Sequence, residues 1–237
     1  MSAPEPRRAV EAAAAPPELP IPCLALVTDR HAAQGRPLDA VVAAALDGGV
    51  NLVQLREKDL PARELWSLAT RLRELTAGRA LFLVNDRLDV ALAAGADGVH
   101  LAGHSLPPAA ARALLGPDRL IGCSVHDAAQ AEEAARGRPD YLFVGTLYPS
   151  RSHPGQPAAG PRLVEELRET TDVPLVGIGG ITVRTAREVL MAGARGVAVI
   201  SAIMAAPDPA AAAARLRDAL RTVEPLRRRP PQPALAD

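Results

Sequence analysis

The sequence predicts an α/β protein, a single (β/α)8 TIM barrel, and three observations carry that prediction. Short apolar runs alternate eight times with longer amphipathic stretches, the pattern of βαβ units and a parallel sheet. Aromatic residues are only 2% of the chain while hydrophobic residues are 48%. The core must therefore be built from Val, Leu, Ile and Ala, which suits strands buried on both faces. Finally, GGVNLVQL, GADGVHL and GARGVAVI each place a glycine at a helix end directly before a strand. An open doubly wound sheet is the competing fold, but no GxGxxG follows the first strand.

The strands are read at 23–29 (CLALVTD), 50–57 (VNLVQLRE), 80–86 (ALFLVND), 97–101 (DGVHL), 119–126 (RLIGCSVH), 140–146 (DYLFVGT), 173–179 (VPLVGIG) and 195–201 (RGVAVIS). Helical patterns follow at 38–47, 61–76, 88–94, 107–115, 127–136, 161–170, 182–192 and 207–222. Pro37, Pro61 and Pro107 stand at helix starts, and Gly48, Gly95 and Gly193 just past helix ends. The barrel is placed at 21–222. Residues 1–20, dominated by Ala, Pro and Glu, and the tail 223–237 read as disordered extensions.

With 27 basic and 27 acidic residues the formal charge is zero, which points to neither a nucleic-acid nor a membrane partner. Cys23 and Cys123 lie inside apolar runs and read as buried thiols rather than a disulfide or metal site. Glu11 interrupts the only short apolar run near the N-terminus, and no segment reaches transmembrane length. A cytoplasmic protein is expected, with a homodimer left open.

Polar residues recur at one end of the strands: Asp29, the run Gln54-Leu55-Arg56-Glu57-Lys58, Asn85 and Asp86, His100, Ser124 and His126, and Thr146. A cap or a surface charge explains any one of them but not their recurrence at the end where this fold carries its chemistry. Gln54 and Arg56, two apart, share a strand face, and an inward Arg in a barrel mouth needs an anion, either a carboxylate or a ligand phosphate. Gly179 and Gly180 in VGIGGI, followed by AVISAI with Ser201, match the phosphate site formed after strands seven and eight. The loop 146–161, carrying Ser150, Arg151, Ser152 and His153, is long enough to be functional.

Taken together, QLREK (54–58), ND (85–86), DGVHL, IGCSVH, GTLYPSRSHPG and IGGI resemble the thiamine phosphate synthase/TenI superfamily over roughly 23–205. The resemblance implies an enzyme of thiamine biosynthesis acting on a thiazole phosphate. It implies that Gln54, Arg56, Lys58, Asn85, Ser150, Ser152 and His153 face a pyrimidine diphosphate, that Asp86 serves Mg²⁺, and that Gly179, Gly180 and Ser201 hold the thiazole phosphate. It also implies one of two reactions. A synthase condenses the two substrates, releases pyrophosphate and needs Mg²⁺; a TenI-type tautomerase moves a proton to aromatise the thiazole and needs no cofactor.

Two departures tilt the expectation toward the tautomerase. Ser105 stands where the synthases resembled carry a metal-binding Asp, and His153 stands where they carry a Lys. Mg²⁺ prefers carboxylate oxygen. His126 matches the tautomerase's proton shuttle and becomes its expected catalytic residue. The intact QLREK and Asn85-Asp86 pull the other way, toward the synthase as the alternative.

Overall fold

Eight apolar runs of four to six residues are too short for helices and long enough to line a barrel wall. The computed structural model describes residues 17–150 and 158–223. In it the runs form β1 (Cys23–Val27), β2 (Leu52–Leu55), β3 (Leu81–Asn85), β4 (Gly98–Leu101), β5 (Leu120–Val125), β6 (Tyr141–Val144), β7 (Leu175–Ile178) and β8 (Gly196–Val199). Each strand pairs in parallel with the next, and β8 returns to β1 to close the ring. Around it lie α1 (Leu38–Asp47), α2 (Ala62–Thr76), α3 (Leu88–Ala93), α4 (Pro108–Leu115), α5 (Ala128–Arg136), α6 (Arg162–Thr170), α7 (Val183–Met191), α8 (Ser201–Met204) and α9 (Pro209–Arg221). Among the described residues, no helix is long and apolar enough to cross a membrane.

The expected caps are in place. Pro37, Pro61 and Pro107 occupy the N-cap positions of α1, α2 and α4. Gly95 and Gly193 take positive φ beyond α3 and α7, a conformation that suits glycine at a helix end. The strands other than β4 end one to two residues short of the runs read for them, and at the last run the conformation changes outright: β8 stops at Val199 and Ser201 begins α8. The chain must turn outward at the barrel rim, so an apolar run that crosses the rim changes conformation partway.

Alternation sorts each strand into two faces. Leu24, Leu26, Val53, Leu55, Phe82 and Val84 join the layer beneath the helices, whereas Ala25, Val27, Leu52, Leu83, Tyr141 and Phe143 fill the barrel interior. The two aromatic rings plug that interior, and glycine makes the space for one of them. A Cβ at Gly122 would lie 2.0 Å from Tyr141 Cζ. The Gly122→Ala variant is expected to lose about 3 kcal/mol, because the buried phenol cannot move aside without displacing its own neighbours. The loss would be read as a lower urea midpoint at unchanged slope, and an unshifted midpoint would contradict this account.

At the opposite end from the rim, one device recurs. Asn51 Oδ1 accepts the Leu24 N–H (2.8 Å), Asp97 Oδ2 the Phe82 N–H (2.8 Å), and Asp140 Oδ2 the Ile121 N–H (2.7 Å). Each side chain lies just before one strand and ties it to the start of the preceding strand.

Candidate active site

The inward face changes character along the barrel axis. Below, it is apolar; at the strand ends it becomes Gln54 on β2, Asn85 on β3, His100 on β4 and Ser124 on β5, all lining one cavity at the mouth. That cavity encloses about 1130 Å³ of empty space, its solvent-open mouth included.

Its β2 wall is cationic. Arg56 and Lys58 follow β2 and line the cavity with Gln54, as their spacing predicted. Arg56 is half-buried and makes no ion pair with any described residue. Gln54 Nε2 donates to Asn85 Oδ1 (3.0 Å), which leaves Gln54 Oε1 buried without a partner. A half-buried cation and an orphaned acceptor both ask for something not supplied by the described chain.

Asp86 has φ 65, and its N–H donates to His100 O (2.9 Å). It lines an adjoining cleft rather than the mouth itself, and Lys58, Asn85 and His104 border both spaces. No group of three His, Cys, Asp or Glu side chains among the described residues could hold a metal alone. A single carboxylate at the edge of an anion site does fit Mg²⁺, which is commonly held by one or two carboxylates, substrate phosphates and water. Ser105 adds little there, because its Oγ accepts the Ala102 N–H (2.7 Å) and closes a turn.

Sequence reasoning noted His100 and gave it no role, and it passed over Tyr141. The inward register of Gly98 and His100 on β4 was the signal available. His100 Nδ1 meets Tyr141 Oη at 3.0 Å and Nε2 meets Ser124 Oγ at 2.9 Å, so the imidazole fixes the Ser124 hydroxyl at the cavity wall. Burial, and then the positive charge of Arg56, push the His100 pKa down to about 3. In the unfolded chain this ring takes up a proton near pH 6.5. Stability is therefore full above pH 6.5 and falls as the pH drops toward 3, by about 5 kcal/mol at 1.36 per pH unit. Denaturant midpoints at pH 7 and pH 4 check this: His100→Gln is expected to flatten the difference, and an equally steep pH dependence in the variant would refute the assignment.

The cup follows β7 and β8. Gly179 and Gly180, with φ 98 and 62, follow β7, and Ser201 opens the short α8, whose N-cap has no side-chain hydrogen bond. All three line the mouth. The β6 loop abuts this cup, with Tyr148 N–H donating to Gly179 O (3.0 Å) and Tyr148 Oη to Glu188 Oε2 on α7 (2.8 Å). Ser150 also lines the cavity. Ser152 and His153 lie outside the described residues.

His126 lines the mouth beside Gly145. Its Nδ1 hydrogen-bonds Gly145 O; a carbonyl only accepts, so Nδ1 carries the proton and Nε2 is left as the basic nitrogen in the neutral ring. Asp29, by contrast, accepts the N–H groups of His31 (3.0 Å) and Ala32 (3.2 Å) and serves as a turn cap.

Known proteins resemble this chain in sequence and fold. The sequence profile described as thiamine monophosphate synthase, TMP-TENI, matches residues 24–203. A putative thiamine-phosphate synthase of Geobacter sulfurreducens is 50% identical over 192 residues, covering 78% of this chain and 88% of that protein. The thiamine-phosphate synthase of Roseiflexus castenholzii is 46% identical over 198 residues, covering 81% and 86%. The structure of thiamine phosphate pyrophosphorylase from Pyrococcus furiosus superposes with a TM-score of 0.77 at 38% identity, over 84% of this chain and 96% of that one. With a profile match running from β1 into α8, the chain belongs to the thiamine monophosphate synthase (TMP-TENI) family.

Proposed function

We propose that this protein is a thiamine-phosphate synthase, which joins hydroxymethylpyrimidine diphosphate to a thiazole phosphate and releases pyrophosphate. The observation that carries the reading is Arg56, a half-buried cation at the mouth with no carboxylate partner among the described residues. Lys58 beside it doubles the charge. A tautomerase has no diphosphate to hold and no use for this wall. The relatives' names support the same choice, so the expectation of a tautomerase, drawn from Ser105, His153 and His126, gives way to its alternative.

The residues divide the work. Gln54 Oε1, orphaned at the wall, accepts an N–H of the pyrimidine and orients the ring. Arg56, Lys58 and Asn85 grip the diphosphate as the bond from the pyrimidine methylene to its oxygen breaks. Gly179, Gly180 and Ser201 hold the thiazole phosphate, so that the ring nitrogen faces the same carbon and forms the new C–N bond. Ser150 borders both halves. Asp86 would hold Mg²⁺, which would supply further positive charge for the departing pyrophosphate. His126 has no proton to move in this reaction and serves as part of the wall.

The test is formation of thiamine phosphate and pyrophosphate from the two substrates with saturating Mg²⁺. Product that appears with Mg²⁺ and disappears with chelator is expected. No condensation, with aromatisation of the thiazole carboxylate phosphate in its place, would overturn the reading.

A further inference from the structure

The motif that supplies the two mouth cations carries an acid between them. Glu57 separates Arg56 from Lys58, and a carboxylate so close to both would cancel charge that an anionic substrate needs if the turn after β2 let it reach either one. The structure shows where it goes instead. The Glu57 side chain is 2% exposed and faces the β1 loop. It accepts the Thr28 hydroxyl (2.8 Å), the Arg30 N–H (3.1 and 3.3 Å to its two oxygens) and Arg30 Nη1 (3.1 Å). A buried carboxylate keeps its charge only when paired and hydrogen-bonded, and both conditions are met here from outside the cavity.

We propose that Arg30 is a positioning residue that sequesters the Glu57 carboxylate, so that Arg56 and Lys58 present uncompensated charge to the diphosphate. Three features of the arrangement serve this purpose. Arg30 is itself held in place by Asp59, which it meets at 2.6 and 2.5 Å through both terminal nitrogens. It therefore stays beside Glu57 and does not line the mouth. Thr28 Oγ1 accepts the Arg56 N–H (2.9 Å) while donating to Glu57, which ties the backbone of the mouth cation to the sequestered acid. Lys58 shares the adjoining cleft with Glu57, which makes it an alternative partner should Arg30 be lost.

The inference rests on the synthase reading, and binding of inorganic pyrophosphate separates the two. In titration calorimetry of the full chain with Mg²⁺, Arg30→Gln is expected to weaken pyrophosphate binding about tenfold, as a freed Glu57 competes for the cations. Glu57→Gln is expected to bind pyrophosphate at least as well as the wild type. The double variant Arg30→Gln/Glu57→Gln is expected to recover most of the loss. A purely structural clamp makes the opposite prediction, with Glu57→Gln weakened and the double variant no better than either single one, and that result would overturn the proposal. In turnover, the KM for the pyrimidine diphosphate is expected to rise in Arg30→Gln, with that for the thiazole phosphate within about twofold of wild type. If Arg30→Gln fails to fold, Glu57→Gln alone decides. A wild-type chain that binds pyrophosphate without condensing overturns the synthase reading only; one that does not bind it overturns this proposal.

Discussion

Arg56→Ala is expected to reduce kcat/KM for the pyrimidine diphosphate by about a thousandfold, the cost of removing a charge-assisted contact from a partly desolvated anion site. The position of Arg56 argues for a loss of that size. It is half-buried, it lines the mouth, and no described carboxylate is left unpaired when it goes. The deletion therefore removes substrate binding without freeing an internal charge, and the fold should be untouched, with a melting temperature within a few degrees of wild type. Removing Arg56 also relieves one of the two causes that depress the His100 pKa. Arg56→Lys keeps the charge but loses the two-pronged donor geometry and should fall between the two. Wild-type kinetics in Arg56→Ala would end the assignment of the β2 wall to the diphosphate.

Gly180→Ala should damage the other half of the site. Alanine at φ 62 costs about 1–2 kcal/mol in backbone strain alone. Its Cβ would stand 2.5 Å from Pro149 O and 2.7 Å from Tyr148 O, backbone atoms that no rotamer change can move. Relief requires displacing the β6 loop, which is pinned to the cup by Tyr148 and its hydrogen bond to Glu188. The expected result is a rise of about a hundredfold in KM for the thiazole phosphate. Pyrophosphate binding, measured calorimetrically, should stay within about twofold, because the cationic wall follows β2 whereas the cup follows β7 and β8. An equal loss on both sides would show that the two halves are not independent.

Much of this was legible in the sequence because it depends on local rules. Strand alternation placed Gln54 and Arg56 on one face, and proline and glycine marked helix ends. What could not be read depends on where side chains turn once the ring has closed. Glu57 looks in sequence like a third charge of the mouth and is in fact buried outside it. Asp86 lines a cleft that adjoins the mouth and shares Lys58 and Asn85 with it, a placement that strand alternation alone does not give. Ser201 changes from strand to helix at the rim. Tyr141 begins an apolar strand run and nothing in the sequence ties it to His100, its partner 41 residues away. The preference for a tautomerase came from counting missing charges at Ser105 and His153, whereas the unneutralised charge at Arg56 emerges only from three-dimensional pairing.

The side chains that tie strand starts together bear on how the protein assembles. Asn51, Asp97 and Asp140 reach back only 27, 15 and 19 residues to Leu24, Phe82 and Ile121. Links so short cost little chain entropy, so neighbouring units can lock in register early. The last step is different, because β8 must find β1 across the whole barrel, Gly196 against Cys23. The diphosphate wall follows the early strands and the phosphate cup the late ones, so neither half faces the other until that seam forms. Catalytic competence should therefore appear late in refolding, after most of the helical signal has returned, and a chain held short of closure would be folded in its parts yet inactive.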